Sequence, residues 1–398
     1  MLREEEYRFW YCSLMSVGVV IRRRLREELG SVEKAYRASK TEVEKVLLPF
    51  HRKPVVERVW QELEKSRQED VICRGTTHMR ELGIRLITAE EAEFPKRLLT
   101  LSDCPTGLFV KGELPGDGIP AAALVGSREC SYYGRNTAKA IGKTLAGAGV
   151  QVISGLARGI DAAGHEGALE AQGRTFGVLG CGPDVVYPWE NKVLYEWVAK
   201  AGGLISEYPP GTGPKAWHFP ARNRIISGLS DCVAVVEAGI KSGSLITASF
   251  ALEQGKDIWA APGRMGDFLS KGTNKLIQDG ALTITEPEDI LGSWHFIKKR
   301  LRISEKTNLS LDKNAEKVYS YLDFDPKSGE QLCIESGLES GIVAAALVRL
   351  ELEGLAAQPF RHYYAVKRDK GEQYGEVSGY CGVPCKGKDH QEIPGAKL

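Results

Sequence analysis

The stretch 217–263 carries side chains well suited to hold an anion. Phe219 is followed closely by Arg222 and Arg224, and a Ser-Gly-Ser turn at 242–244 comes after an apolar run. Two arginines beside an aromatic ring suit a phosphate and a nucleobase better than a small neutral metabolite. A strand that ends in a Gly/Ser turn before a helix exposes backbone N–H groups that bind anions. The stretch therefore predicts a site for a phosphate-rich ligand.

Other Gly- and Ser-rich loops follow apolar runs earlier in the chain. Ser127 and Arg128 come directly after one such run, and Arg158 follows the next in the segment SGLARG. Gly180 and Gly182 close a third run, where residues without a side chain let a ligand approach the backbone closely. In an open α/β sheet, ligands bind at the edge where the carboxyl ends of the strands meet. We therefore expect these loops to converge on one site.

Two common nucleotide-binding motifs are excluded. The GKT at 142–144 would need a glycine five positions earlier, but that position is Thr137, and the segment has a helical pattern. The segment LGCGPDVV at 179–186 follows a strand, but Val185 occupies the third glycine position of a dinucleotide fingerprint. A P-loop and a nicotinamide site are therefore not predicted.

Metal and acid–base chemistry receive little support from the spacing of residues. Asp161 and His165 lie four residues apart on one face of a predicted helix, where they could serve acid–base chemistry, a metal or loop orientation. We favour loop orientation, because no third metal ligand has suitable spacing. Cys381, Cys385 and His390 form only a weak zinc pattern, because no second pair follows. We predict no metal site and no catalytic nucleophile.

Pro220 and Arg224 each leave a structural question at the centre of the candidate site. Because proline disfavours helical dihedrals in the residue before it, we expect extended backbone at Phe219, away from a helix interior. Arg224 could contact a phosphate, or it could pair with Glu237 or Asp231 and shape the pocket.

An α/β unit must position these loops. Apolar runs of strand length alternate with segments of helix length over 121–290, which predicts a Rossmann-like, mostly parallel sheet with helices on both faces. A connector over 76–120 precedes it and contains a strand at LFVKGEL, and the whole domain is predicted to cover 76–292. The predicted strands are 121–126, 150–155, 175–180, 203–207, 232–237, 257–263 and 281–285.

Smaller domains are predicted on either side of the sheet. Residues 1–75 have apolar positions at three- and four-residue spacing, which predicts a helical domain of helix-hairpin-helix or SAM-like type. The run Arg22-Arg23-Arg24 could contact nucleic acid there, although a solvated helix face is the simpler interpretation. A polar linker is predicted over 293–312, a winged-helix order of helices and hairpin over 313–368, and a disordered tail over 369–398.

The composition is that of an ordinary globular protein. Among 398 residues, 53 Lys and Arg oppose 52 Asp and Glu, so any basic surface must be local. The nine cysteines are an odd and scattered number, which is typical of reduced thiols rather than a disulfide framework. No apolar run approaches the roughly 18–20 residues of a membrane span, and the first residues are acidic where a secretory signal is basic. We therefore expect a cytoplasmic protein without a membrane partner.

Long blocks in the same order between about residues 124 and 281 resemble the DNA-processing protein A family, also called DprA or Smf. These blocks are VGSRECSYYG, ISGLARGIDAAGHEGAL, FGVLGCGPDVVYPWEN, ISEYPPGTGPKAWHFPARNRIISGLS, VVEAGIKSGSLITASFALEQGKDIWAAPG and SKGTNKLIQDGA. The resemblance implies a Rossmann-like domain that binds single-stranded DNA and mediates its loading onto the RecA recombinase in natural transformation and homologous recombination. It also implies a homodimer built on this domain, and it implies neither a catalytic activity nor a cofactor.

The resemblance places DNA contacts in three of these blocks. The implied contacts are Ser127 and Arg128 in the first block, Phe219, Arg222, Asn223 and Arg224 in the second, and Ser242, Gly243 and Ser244 in the third. To these we add Arg158, in the SGLARG segment, and Lys215, which lies four positions before Phe219.

Two other functions remain open at this point. An enzyme that acts on a nucleotide or nucleoside phosphate could use the same loops as a phosphate cradle, with Glu237 or Asp161 as acid or base. An adaptor could instead carry its partner contacts on the terminal domains. The predicted recognition helix of the winged helix offers only Arg349, so protein contact is as plausible there as DNA contact.

Overall fold

The computed structural model describes residues 2–294, 312–322, 326–353 and 355–366. They fall into two compact units, residues 2–294 and residues 312–366, and each has its own hydrophobic core. Most of the predicted linker and the whole predicted tail, with Cys381, Cys385 and His390, lie outside the described residues. The domain boundaries at 75, 292, 312 and 368 stay predictions.

The first unit begins with a bundle of short helices, as predicted. Ser31 caps the third of them, because its Oγ accepts a hydrogen bond from the Lys34 N–H at 3.1 Å. The core of the bundle includes Trp10, Tyr11 and Leu25, and it continues onto Phe109 of the neighbouring sheet. These helices are α1 Glu4–Cys12, α2 Val19–Leu29, α3 Val32–Arg37, α4 Lys40–Leu47, α5 Lys53–Ser66 and α6 Glu69–Glu81.

The three consecutive arginines of α2 have partners within this bundle. Arg22 is buried, and its guanidinium donates to the carbonyl of Cys12 at 3.2 Å. Arg23 lies 4.0 Å from Glu27, and the Arg24 guanidinium lies 3.4 Å from the centroid of the Phe50 ring. The described geometry therefore favours a structural interpretation of this run over nucleic-acid contact.

A nine-stranded sheet forms the centre of the first unit, in the order β1-β2-β6-β5-β4-β3-β7-β8-β9. Strands β1 and β2 run antiparallel to their neighbours, and the other pairs are parallel. Each strand predicted between 121 and 285 is confirmed, and so is the strand of the connector. The strands are β1 Ile84–Thr88, β2 Gly107–Gly112, β3 Ala121–Val125, β4 Gln151–Ser154, β5 Thr175–Leu179, β6 Gly203–Ser206, β7 Cys232–Val235, β8 Asp257–Ala260 and β9 Leu282–Thr283.

Helices cover both faces of the sheet, which confirms the Rossmann-like architecture. Alternate residues of β3 enter two different cores: Val125 packs with Ile225 on one face, and Leu124 packs with Ile141 on the other. The GKT segment at 142–144 lies inside a helix, as expected. The helices are α7 Lys96–Leu99, α8 Tyr132–Gly147, α9 Ile160–Glu170, α10 Lys192–Ala201, α11 His218–Leu229, α12 Gly243–Glu253 and α13 Lys271–Gln278.

The second unit has the predicted winged-helix order of helices and hairpin. Its three-stranded sheet has the order β10-β12-β11, and its core contains Val318, Leu332, Val343 and Leu350. The elements are α14 Lys313–Tyr321, β10 Lys327–Ser328, α15 Gly329–Ser336, α16 Ser340–Leu352, β11 Ala356–Phe360 and β12 Tyr363–Val366.

No single helix among the described residues is long and apolar enough to span a membrane. The pair α15 and α16, bent by 111° at its break, meets that criterion only by length and composition. Leu332 and Leu347 on these helices are buried in the core of the second unit.

Candidate nucleic-acid interface

A pocket of about 550 Å³ opens at the carboxyl edge of the large sheet. It lies beside β3 and β7, where the chain order of the parallel strands reverses, and open α/β sheets bind ligands in such a crevice. Its lining combines the loop after β3, the loop after β4, the start of α11 and the turn at 242–244. The predicted convergence is confirmed for the loops after β3 and β4 and for the turn at 242–244, whereas Gly180 and Gly182 are not among the lining residues.

Phe219 lies at the mouth of this pocket with other groups packed around its ring. The Arg128 guanidinium lies 5.2 Å from the ring centroid, and the ring of Tyr187 lies 5.4 Å away in a tilted arrangement. Gly180 leaves room for the ring, because a Cβ there would lie 2.9 Å from Phe219 Cδ1. The third glycine-rich loop therefore contributes by giving space to an aromatic side chain.

The backbone at Phe219 is helical, so the predicted extended conformation is wrong. Helix α11 begins at His218, which places Phe219 and Pro220 in its first turn. Proline is tolerated there, because the N–H groups of the first turn have no partner within the helix. Its place in the first turn of α11 therefore overrides the usual preference of the residue before a proline for extended backbone.

Arg128 is exposed on a loop whose backbone is tightly held. The Ser127 N–H donates to the carbonyl of Glu237 at 2.7 Å, and the Ser127 carbonyl accepts from the Ile160 N–H at 3.2 Å. Gly159 has a φ of +73°, and a Cβ there would lie 2.3 Å from the Ser127 carbonyl oxygen. The Ser127 hydroxyl donates to the carbonyl of Glu129 at 3.1 Å. Ser127 thus fixes the loop, and Arg128 projects from it.

Arg222 is among the residues that line the pocket, but it is only 5% exposed. Its guanidinium donates to the carbonyl of Gly155, directly after β4, at 3.0 Å, and to that of Val178, near the end of β5. Asp161 lies beside it and accepts from the Gly155 N–H at 3.1 Å. Burial raises the pKa of Asp161 above its usual range, and the positive charge of Arg222 opposes this rise. Asp161 therefore orients the loop, as favoured from the sequence.

Arg224 is also buried, and its guanidinium is paired with two carboxylates. It lies 2.7 Å from Glu207 and 3.0 Å from Asp103. Arg224 therefore forms ion pairs, as one of the two alternatives predicted, but the predicted partners, Glu237 and Asp231, were wrong. Glu237 instead accepts from the Ser131 N–H at 2.8 Å, and Asp231 pairs with Arg97 at 3.0 Å.

The 242–244 turn begins helix α12, as its composition predicts. Ser242 is the N-cap, and its hydroxyl lies 2.8 Å from that of Ser244. Asn223 reaches across from α11 and donates to the Gly243 carbonyl at 3.2 Å. The turn lines the same pocket as Arg128 and offers backbone N–H groups at a helix N-terminus.

The two cations added from the sequence are both exposed near the pocket. Lys215 Nζ lies 5.5 Å from the ring centroid of Trp217, which is 69% exposed. Arg158 forms an ion pair with Glu190. The contact between Tyr187 and Phe219 was not predicted, because it joins residues 32 positions apart. The only sequence signal was the YPWEN that follows the third glycine loop.

The groups available for acid–base chemistry are occupied structurally. His165 Nδ1 lies 2.7 Å from the Thr175 hydroxyl, which itself donates to the Val152 carbonyl at 3.0 Å. The histidine therefore donates from Nδ1, and burial lowers the pKa of His165 to about 3. Within the described part of the chain, no group of three His, Cys, Asp or Glu side chains could hold a metal ion.

The fold and the pocket define a Rossmann-like α/β protein with a cationic and aromatic crevice at the strand-order reversal of its sheet. The chain belongs to the DNA recombination-mediator protein A family, whose model matches residues 85–295. The DprA winged helix domain matches residues 304–359.

Relatives of this chain carry the names Smf and DprA. It is 46% identical over 212 residues to Protein Smf of Escherichia coli, and the aligned region covers 53% of this chain and 57% of that protein. It is 45% identical over 205 residues to DNA processing protein DprA of Streptococcus pneumoniae, which covers 51% of this chain and 72% of that protein. The X-ray structure of DprA from S. pneumoniae matches with a TM-score of 0.61 at 32% identity, over 73% of this chain and 98% of that one.

Proposed function

We propose that this protein binds single-stranded DNA without strong sequence preference and mediates its loading onto the RecA recombinase in DNA uptake and homologous recombination. Membership of a recombination-mediator family supports the proposal. The observation that carries it is the arrangement at the pocket mouth, where the Arg128 guanidinium lies 5.2 Å from the Phe219 ring beside Tyr187.

This arrangement suits an unpaired strand better than a duplex. An aromatic ring stacks on the face of a base, and that face is accessible only when the base leaves its neighbours. Every base has such a face and every nucleotide a phosphate, so contacts of this kind carry little sequence information. The formal net charge is +1, so the attraction for DNA must be local, and we assign it to the cations around this pocket.

The predicted site residues divide into two roles under this proposal. Direct contacts come from Arg128 and Lys215 to phosphates, from Phe219 to a base, and from the turn at 242–244, with Asn223, to a second phosphate. Arg158 becomes a further phosphate contact when a DNA phosphate displaces the Glu190 carboxylate from its guanidinium. Arg222 and Arg224 act as positioning residues, because each is about 95% buried and already hydrogen-bonded or ion-paired.

The proposed contacts can be tested by fluorescence anisotropy with a labelled oligothymidylate. We expect Arg128→Ala to weaken binding, and Phe219→Leu to weaken it by about 1–3 kcal/mol, because leucine keeps the bulk but removes the stacking face. The matched control is Arg85→Ala on the edge strand β1, where the arginine is half-exposed and paired with Glu93 at 2.8 Å. Affinities of the Arg128 and Phe219 variants equal to that of the wild type would contradict the site.

The recombinase and the dimer need separate measurements. A RecA mediator should accelerate RecA ATP hydrolysis on DNA already covered by a single-strand-binding protein, and no acceleration would contradict this part of the proposal. We also propose a homodimer through the Rossmann-like domain. Sedimentation equilibrium should give twice the chain mass of 43.7 kDa, whereas a monomer at micromolar concentration would contradict it.

A further inference from the structure

A second, smaller pocket of about 240 Å³ continues the surface beyond Phe219. It shares Arg128, Tyr187 and Phe219 with the first pocket and adds Arg158 and Pro188. A short 3-10 helix, Trp189–Asn191, follows directly along the chain. The surface around Phe219 therefore leads toward Trp189.

The 3-10 helix is fixed against the loop that carries Arg158. The Asn191 side-chain amide donates to the carbonyls of Leu156 at 2.9 Å and Ala157 at 3.2 Å. Trp189 lies two positions after Tyr187 in the chain, so their Cα atoms are at most about 7 Å apart. The Trp189 backbone is thus held close to a ring that already touches Phe219.

Trp189 repeats the cation and aromatic pairing of the first site. Its side chain is 68% exposed, and Lys192 Nζ lies 4.9 Å from its ring centroid. A single exposed tryptophan is common on protein surfaces. What distinguishes this one is its place, next to a pocket whose mouth has the same pairing of Arg128 with Phe219.

Glu190 forms an ion pair with Arg158 that costs little free energy to break. The two side chains are 59% and 60% exposed, and ion pairs of such exposure contribute about 0–1 kcal/mol. An incoming phosphate could therefore take the place of the carboxylate on Arg158. Glu190 is then a competitor for the cation that the strand would use.

We propose that Trp189 is a second base-stacking position for the DNA strand, with Lys192 and Arg158 as its phosphate ligands and Glu190 as the group displaced on binding. This inference rests on the proposed function and extends the strand from Phe219 to the start of α10. Beyond Lys192 the surface changes, because the hollow that contains Val193 and Trp197 is also lined by Glu166 and Glu170. The lining of this hollow carries three carboxylates against two lysines, so it has no excess of positive charge for a phosphate backbone, and the proposed DNA path ends there.

The test compares full-length variants on oligothymidylates of increasing length. We expect Trp189→Ala to weaken binding about 5- to 150-fold on long oligonucleotides and to leave the shortest bound one unaffected. Trp189→Phe should restore most of the affinity, because it keeps a flat ring. Glu190→Gln should strengthen binding, by up to about fivefold, because Arg158 is released. The matched control, Trp197→Ala, removes an indole of similar exposure on α10 and should bind like the wild type.

Each outcome bears on the inference. Unchanged affinity for Trp189→Ala and Glu190→Gln, together with weaker binding by Arg128→Ala, would overturn the second position and leave the proposed function standing. Equal losses for Trp189→Ala and Trp197→Ala would also overturn it, because the effect would then not be local. A wild-type protein that binds no DNA would remove the proposed function itself.

Discussion

Replacing Glu207 by glutamine should destabilise the first unit strongly. Glu207 lies 2.7 Å from Arg224 on α11 and 3.6 Å from Arg22 on α2, and all three side chains are at most 8% exposed. Arg224 would keep Asp103, but Arg22 would keep only backbone carbonyls as partners. Removal of one member of a buried ion pair costs about 3–5 kcal/mol, because it leaves a charge uncompensated in the interior.

Tryptophan fluorescence can follow this change in the first unit alone. All seven tryptophans lie between Trp10 and Trp294, which is within that unit. At about 2 °C per kcal/mol for a large domain, the expected fall in Tm is about 6–10 °C. The matched control is Glu190→Gln, which breaks an exposed pair and should shift Tm by about 2 °C or less.

The outcome for Glu207→Gln decides whether the arginine network holds α11 in place. A Tm within about 2 °C of the wild type would refute the reasoning, since the buried arginines would then need no carboxylate. A large fall would support the network as the link that holds α11, the helix that carries Phe219, against α2.

Two further predictions concern packing and pH. Gly142→Ala should lower the free energy of unfolding in urea by about 1–3 kcal/mol despite the higher helix propensity of alanine, because the new Cβ would lie 2.2 Å from the Gly164 carbonyl oxygen. In the control Gly147→Ala the new Cβ meets nothing within 4 Å, so this variant should be neutral or stabilising. Equal effects of the two substitutions would contradict the packing of α8 at Gly142. His165 is buried neutral with a pKa of about 3, against an ordinary value of 6.5, so the unfolded chain binds a proton there that the folded one does not. The free energy of unfolding should therefore fall by up to about 1.4 kcal/mol per unit as pH drops from 6.5 toward 3, and His165→Asn should lose this slope; parallel pH profiles would contradict it.

The sheet could be predicted from the sequence because its strands are buried on both faces. Runs such as Ala121–Val125 and Cys232–Val235 are continuous and apolar, so their length and the Gly/Ser loops that follow them indicated parallel strands without knowledge of their neighbours. The position of Arg128 followed from the same reasoning, because it comes directly after a strand at the carboxyl edge.

The burial of the two arginines on α11 could not be predicted, because their partners are distant in sequence. The acceptors of Arg222 are carbonyls at the ends of two other strands, and Glu207 follows a third. The sequence around Arg222 and Arg224 does not show where the backbone carbonyls of distant strands lie, or which carboxylate approaches each guanidinium. The aromatic residues Tyr187 and Trp189 were missed for a related reason, since Tyr187 lies in a loop and Trp189 begins a 3-10 helix of only three residues, which is too short to show a periodic pattern.

A fluorescence titration of single- against double-stranded oligonucleotides of equal length, at two salt concentrations, tests the central claim most directly. The pocket should bind the single strand more tightly. Its affinity should fall with salt at a slope of about −0.7 for each phosphate neutralised. Arg128→Ala should reduce that slope by about one such contact. Tighter duplex binding, or single-strand affinity that does not depend on salt, would contradict the account of Phe219 and Arg128 as a stacking and phosphate site.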